Sequence, residues 1–466
     1  MGKWTVEAVA GKAKGVLLGT PDLEVSGCLI DSRQAQGGEI FFALPGEQVD
    51  GHDFIEAAWK KGAVLVIAEE DRFKAPNNSQ AVPEGKALLL VKSVFAALQE
   101  LAKAWRLELG AKVVGVTGSN GKTTTKDMIA AVLSQRFKVY YNKENHNNEL
   151  GLPMTILNAP FGTEILVLEM GMRGLGEVTA LCNIAKPDVG VITNIGTTHL
   201  ELLLTQERIA QAKWELIEAL PEDGLGIINA DDLFSVQKAK QDLHSMRFYG
   251  LEGAFAEPDI KGSQLRPWGP LGTTFDVNYK GEKTTVNLPL PGKHNVLDAL
   301  AALAVGKVLG VSLAEGCAGL GKLKLSKMRL EVRYGIFGAT LLNDVYNANP
   351  ISMQASLEVL KERAGGNKTL AILGEMYELG TLAESGHREV GETLAKLGIS
   401  ELITVGKLAE EIAEGARIAG YAEEHIKVTS TRDEAVTQAK DLLNRFGPGI
   451  WVLIKGSRGM KMEEIT

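Results

Sequence analysis

The sequence predicts an α/β protein of three modules, with a doubly wound parallel sheet in the middle module and a Rossmann-like sheet in the last. Three observations carry that expectation. From Val113 to about Gly310, short apolar runs alternate with helical patterns, as strands and crossover helices do in a parallel sheet. The first of those runs leads into a glycine turn, Gly118-Ser119-Asn120-Gly121-Lys122-Thr123-Thr124, that opens a helix. A second series of apolar runs separated by helical segments fills the last third of the chain.

The first module is short. Ile40–Leu44 is strand-like, Phe54–Lys61 reads as a helix, and Ala63–Ala68 reads as another strand. The Asp31-Ser32-Arg33 turn offers a hydroxyl and a guanidinium, suited to a diphosphate or sugar hydroxyls, although the turn alone favours simple solvation. Residues 72–85, rich in Pro, Asn and polar side chains, predict a surface loop. Ser93 is placed to cap a helix that runs to about Leu109 and enters the second module.

In the second module Val113–Thr117 predicts a buried strand and Lys126–Leu133 an amphipathic helix. The turn between them is a phosphate cradle. Its glycines let backbone N–H groups converge, the helix N-terminus adds positive potential, Lys122 reaches terminal phosphates and a hydroxyl can hold Mg²⁺. The cradle is shortened, because the position where the general motif has its early glycine is Val116. Further strands are expected at Ile165–Met170, Val189–Asn194 and Gly226–Asn229, with polar residues at their carboxyl ends, where parallel sheets bind ligands. A hairpin is expected between Thr273 and Leu290, turning at Lys280-Gly281-Glu282, and then a helix over Val296–Val308. The stretch from Gly316 to Met328 marks the second boundary. Beyond it, strands are expected at Thr340–Asn343, Thr369–Leu373, Leu402–Val405, Ile426–Val428 and Ile450–Ile454. These readings divide the chain at 1–92, 93–322 and 323–466.

Bulk properties limit the function. The net charge of −8 leaves no basic excess with which to neutralise nucleic-acid phosphates. The three cysteines are far apart and lack metal spacing, as expected of reduced thiols in a cytoplasmic protein. No apolar run reaches membrane-spanning length, and the N-terminus lacks the apolar core of a signal peptide.

Several side chains outside the cradle are candidates for chemistry. Glu169 closes a strand at the ligand edge, where a carboxylate can bind Mg²⁺ or position a water. His199 lies in a turn at the same edge and suits metal or substrate contact. Lys213, within a helix over Gln206–Leu220, reads by itself as a solvated lysine. The loop Tyr141–Pro153 gathers Asn142, Asn145, His146, Asn147, Asn148 and Glu149, amides suited to the hydroxyls and carbonyls of a sugar-peptide. Asn295 can cap its helix or read an adenine edge, Arg329 suits phosphate, and Asp344 suits ribose hydroxyls.

Taken together, TGSNGKTT, the Glu169 strand, NIGTTHLE, AKWE, PGKHNVLDALAA, MRLE and IKGSRGMKME resemble the Mur ligases, ATP-dependent amide-forming enzymes of peptidoglycan synthesis. The resemblance spans all three modules. The stretches DSR, GEIFFALPGEQVDGHDF, NKENHNNELGLP, NDVYNANP and LGEMYELG are most similar to the member that adds D-alanyl-D-alanine to UDP-N-acetylmuramoyl-tripeptide. It implies an N-terminal UDP-sugar domain, a central ATPase domain and a C-terminal domain that closes over the site. It also implies that Gly118, Ser119, Asn120, Gly121, Lys122, Thr123 and Thr124 hold the ATP phosphates, with Asn295, Arg329 and Asp344 as further nucleotide contacts. Thr123, Glu169, His199 and a carbamylated Lys213 would bind two Mg²⁺ ions. Ser32 and Arg33 fall to the UDP-sugar side, Asn147 and Asn148 to the sugar-peptide substrate, and Asn347, Asn349 and the Lys455–Arg458 turn to the peptides. A cytoplasmic monomer is expected. Other amide ligases of this kind, folylpolyglutamate synthases and nucleotide-driven switch modules remain alternatives, and acceptor-dependent ATP consumption separates a ligase from a switch.

Overall fold

A computed structural model describes residues 4–465, except 47–48, 74–81, 144–145, 270 and 324–327. Asn145 and most of the expected 72–85 loop therefore lie outside the described residues. Three separate sheets organise the chain in sequence order.

The first sheet contains β1 (Val16–Gly19), β2 (Gly27–Leu29), β3 (Glu39–Phe42), β4 (Leu65–Glu69) and β5 (Ala87–Val91), in the order β1-β5-β4-β3-β2. Only the β1–β5 pair is antiparallel. Ser93 caps the helix Val94–Leu109 by accepting from Ala96 N–H, and Gly110 ends it in the left-handed region.

The middle sheet has nine strands: β6 (Lys112–Thr117), β7 (Val139–Tyr141), β8 (Ile165–Glu169), β9 (Val189–Ile192), β10 (Leu225–Asn229), β11 (Ser245–Gly250), β12 (Ile260–Trp268), β13 (Gly272–Tyr279) and β14 (Glu282–Leu288). Their order is β14-β13-β12-β11-β10-β9-β6-β8-β7. From β7 to β12 neighbours run parallel, and β13 and β14 add the expected hairpin at one edge. The chain leaves β6 toward β8 on one side and returns to β9 on the other. That switch point opens a crevice at the carboxyl end of β6, where the cradle lies.

The third sheet contains β15 (Glu331–Tyr334), β16 (Thr340–Asn343), β17 (Thr369–Gly374), β18 (Glu401–Val405), β19 (Ile426–Thr429) and β20 (Trp451–Lys455), in the order β15-β16-β20-β17-β18-β19. It is parallel except for the β15–β16 pair.

Three expectations need correction. The helix after the cradle begins at Lys122 rather than Lys126, and it is buried on nearly every face instead of amphipathic. The sheet covers one side, and helices Lys293–Val308 and Leu313–Gly321 cover the other. Strands β1, β2, β5, β7, β11, β12 and β15 were not expected: β2 and β7 have three residues each, and β12 is largely exposed and interrupted by a register shift. The start of the expected boundary stretch at Gly316 is helical, because Ser312 and Glu315 form a capping box that opens Leu313–Gly321.

Core packing divides the modules unequally. Trp4, Leu98, Trp105, Leu152, Leu168 and Trp214 belong to one continuous apolar cluster, so the first module and one face of the middle sheet share a core. The Trp105 indole N–H donates to the Ala159 carbonyl at 3.1 Å, which satisfies the one polar atom of that buried ring. The third module keeps apolar clusters of its own. Among the described residues, no helix is long and apolar enough to cross a membrane.

Candidate active site

A cleft of about 1190 Å³ lies between the middle and third modules, at the carboxyl ends of the middle strands. Its floor is the cradle. Gly118 has φ +150°, and a Cβ there would fall 1.8 Å from Thr193 Oγ1; Gly121 has φ +79°, and a Cβ would fall 2.5 Å from Asp298 Oδ1. Both positions require glycine for conformation and for space. Around them the loop is tied to the end of β9. Asn120 N–H donates to Asn194 Oδ1 at 3.0 Å, Thr193 Oγ1 donates to the Asn120 carbonyl at 2.6 Å, and Gly196 N–H donates to Ser119 Oγ at 2.8 Å.

Lys122 lies over this loop, and its Nζ donates to the Gly118 carbonyl at 2.7 Å. Burial holds its amine below the usual lysine range; Arg329 adds to that shift, while Glu169 opposes it. Thr123 and Thr124 are buried beside it. Glu169 ends β8 with its carboxylate buried, Oε1 accepting from Asn147 Nδ2 at 2.8 Å and Oε2 without a partner among the described residues. An unsatisfied carboxylate oxygen in such a place is costly unless a ligand completes it. Asn148 turns the same loop, its Oδ1 accepting from Gly151 N–H at 2.8 Å.

Lys213 overturns its solvated reading. It is 1% exposed, on the helix Gln206–Glu218, between the equally buried Ala212 and Trp214. Burial pushes its amine well below the usual range, and the nearby Lys122 charge adds to the shift. Burial thus disfavours the charged form where sequence alone predicts a solvated cation.

His199 caps the short helix Leu200–Leu203 from the left-handed region, and its Nδ1 meets Glu378 Oε2 of the third module at 2.8 Å. Glu378 is also left-handed, at φ +63°. Two strained residues in one contact cost about 1–3 kcal/mol each, which marks the pair as a functional junction. The contact with His199 is the main cause holding the Glu378 carboxyl below its ordinary value.

The third module supplies the roof. Arg329 Nη2 donates to Thr123 Oγ1 at 2.8 Å, and its guanidinium lies 4.0 Å from the centre of the Tyr346 ring. Asn349 caps the helix Pro350–Ala364 and donates from Nδ2 to Asn120 Oδ1 at 2.6 Å. Burial would raise the Asp344 carboxyl, but Lys455 and the Ser356 hydroxyl hold it below its ordinary value. Lys455 also donates to the Asn347 carbonyl at 3.1 Å.

Most of the candidates line this one cleft, but Gly118, Lys213, Ser32, Arg33 and the Gly456–Arg458 part of the last turn do not. Ser32 and Arg33 lie outside its lining, and the Arg33 side chain is 85% exposed and paired with Asp31. Asn295 does line the cleft, yet it caps nothing. The helix starts at Lys293, and Asn295 Nδ2 donates back to the Pro291 carbonyl at 2.7 Å. Sequence reasoning missed Asp298, Tyr346 and Glu378. Asp298 did carry a signal, since a lone carboxylate in the small and aliphatic helix 293–308 must be used or be costly. Its carboxyl accepts from Thr125 Oγ1 at 2.9 Å, and burial pushes it up to about 7.

Three family models match the chain: the Mur ligase family, catalytic domain at residues 24–106, the Mur ligase middle domain at 116–306, and the Mur ligase, glutamate ligase domain at 328–458. The UDP-N-acetylmuramoyl-tripeptide–D-alanyl-D-alanine ligase of Bacillus subtilis is 40% identical, over 100% of this chain and 98% of its own length. The Escherichia coli ligase of the same name is 33% identical over 96% and 94%. A crystal structure of MurF from Acinetobacter baumannii superposes with a TM-score of 0.86 at 31% identity, covering 99% of this chain and 97% of that one. MurF from Thermotoga maritima, in complex with ADP, gives 0.79 at 32% identity over 95% and 96%. The chain belongs to the Mur ligase family, in its branch of UDP-N-acetylmuramoyl-tripeptide–D-alanyl-D-alanine ligases.

Proposed function

We infer that this enzyme uses ATP to join D-alanyl-D-alanine to the terminal carboxylate of UDP-N-acetylmuramoyl-tripeptide through an acyl phosphate. One observation carries the reading: Lys122, Thr123 and the open oxygen of Glu169 face a single cleft at the sheet's switch point. The three sheets support domains at 1–92, 93–322 and 323–466.

A carboxylate is a poor electrophile, so the γ-phosphoryl group is transferred to it first. The amine then attacks the acyl carbon, a tetrahedral intermediate forms, and phosphate leaves. Lys122 offsets the repulsion between the two anions, and the loop amides orient the phosphates. Arg329 and Asn349 bring the third module onto that loop, which excludes water from a hydrolysable intermediate. Ser32 and Arg33 are assigned to the nucleotide-sugar at a distance from the reacting atoms. Asn147, Asn148 and Asn347 line the cleft where the peptides would lie.

The bare Glu169 oxygen, the Thr123 hydroxyl and His199 fit two Mg²⁺ ions together with Lys213. Among the described residues no three His, Cys, Asp or Glu side chains cluster as a metal cage, so phosphate oxygens and water would complete each shell, as Mg²⁺ prefers. Bound there, Mg²⁺ would draw negative charge from the transferring phosphates. Burial disfavours charge on the Lys213 amine, which suits it to attack CO₂: an N–C bond forms, one proton leaves, and the nitrogen then carries a carbamate carboxylate. A monomer is proposed, and reliance on ATP supports a cytoplasmic enzyme.

Phosphate release with UDP-N-acetylmuramoyl-tripeptide, measured with and without D-alanyl-D-alanine, tests the reading. Release in step with amide formation is expected. ATP consumption indifferent to the dipeptide would point to a nucleotide-driven switch.

A further inference from the structure

Lys126 is fully buried on the helix that the cradle opens. Its Nζ donates to the Asn142 carbonyl at 2.7 Å, meets Asp127 Oδ1 at 3.1 Å and lies 5.4 Å from the centre of the Tyr141 ring. A cation withdrawn so completely from water has to be met by well-placed partners. The partner it fixes is the residue at which β7 stops. The β7 ladder pairs Tyr141 with Val167, so Glu169, two residues farther along β8, has no main-chain neighbour on that side.

The Asn142 side chain takes that neighbour's place. Its Oδ1 accepts from Glu169 N–H at 2.9 Å, and its Nδ2 donates to the Glu169 carbonyl at 3.1 Å and to the His146 carbonyl at 2.8 Å. One amide therefore satisfies both exposed main-chain groups of Glu169 and anchors the returning loop. That loop delivers Asn147, whose Nδ2 holds Glu169 Oε1 and whose carbonyl accepts from Gly171 N–H at 2.8 Å. A Cβ on Gly171 would lie 2.9 Å from the Asn147 amide carbon, so the fit is close. Glu169 is gripped at its main chain and at one oxygen, and the other oxygen is left bare.

We propose that Asn142, braced by Lys126, is a positioning residue that aims the Glu169 carboxylate and so sets the affinity of the Mg²⁺–nucleotide complex. The proposal rests on Glu169 being a Mg²⁺ ligand. A side-chain amide spliced into the sheet holds the carboxylate more tightly than a turn open to water does, because no water competes for its bonds.

The test is calorimetric binding of a non-hydrolysable ATP analogue, with and without MgCl₂, to the full chain and its variants. In Asn142→Ala the gain in affinity on adding Mg²⁺ should fall by about 10- to 100-fold. Binding of the Mg²⁺-free analogue should stay near that of the parent, which a general loss of structure would not allow, while the melting temperature should fall somewhat because the buried main-chain groups of Glu169 lose their partner. An unchanged Mg²⁺ gain in Asn142→Ala overturns the proposal. Glu169→Gln separates the two ideas: if it keeps the Mg²⁺ gain, the assignment of Glu169 is wrong; if it alone loses the gain, only the role of Asn142 fails. Should Asn142→Ala not fold, Lys126→Met removes the brace while keeping a side chain of similar length. A reduced Mg²⁺ gain there supports the proposal, and an unchanged one overturns it.

Discussion

Arg329 of the third module donates to the Thr123 hydroxyl of the cradle at 2.8 Å, directly after Lys122. The same guanidinium stacks on Tyr346, and its Nε is buried without a partner. On the proposed reading, closure of the third module and binding of the triphosphate would be joined at one hydroxyl. Lysine at this position would keep the charge but lose the fork and the stacking. Arg329→Lys should raise the KM for ATP about tenfold or more, in line with the loss of one charge-assisted hydrogen bond. Steady-state kinetics at varied ATP would check this, and an unchanged KM would show the contact to be incidental.

Lys122→Ala removes the cation at the terminal phosphates. We expect kcat/KM to fall at least about a thousandfold while the far-ultraviolet dichroism stays that of the parent. Near-normal turnover would refute its role.

For Lys213 the prediction concerns a chemical state. Isotope-labelled bicarbonate should produce a carbamate resonance in the parent that is missing in Lys213→Ala, and the variant should be inactive. Small carboxylic acids should restore part of its turnover by supplying the missing oxygen ligand. An active alanine variant would sink the idea.

Asp298 makes stability depend on pH. Burial pushes its carboxyl up to about 7 from an ordinary value of 3.8, against the opposing pull of the Thr125 hydroxyl and Arg329. The folded state therefore holds the proton more tightly than the unfolded chain does. That contribution is complete below about pH 4 and is lost as pH rises through about 7. Asp298→Asn keeps an acceptor for Thr125 without a titrating group, so denaturant melts should show it gaining on the parent between those limits. Parallel pH profiles would exclude a buried proton on Asp298.

The reach of the sequence can be judged residue by residue. The cradle, the strand ending in Glu169 and the Lys280-Gly281 hairpin were legible because each depends on backbone conformations within a few residues. Lys213 was misread because solvation is the usual state of a helical lysine, and only packing around Trp214 removes water from it. Asn142 looked like one amide among many, since its partner Glu169 is 27 residues away and is brought near only by strand pairing. Glu378 carried no signal, because its His199 contact joins two modules with no shared core.

By itself the sequence determined the three α/β modules, the phosphate loop and the class of chemistry, since glycine conformation, strand periodicity and the donor set of Lys122 and its neighbours are local properties. Tertiary structure alone decided which lysine is buried, which Glu169 oxygen is bare and which third-module side chains touch the loop. Those outcomes depend on burial and on contacts across hundreds of residues, where desolvation outweighs the intrinsic preference of any one side chain.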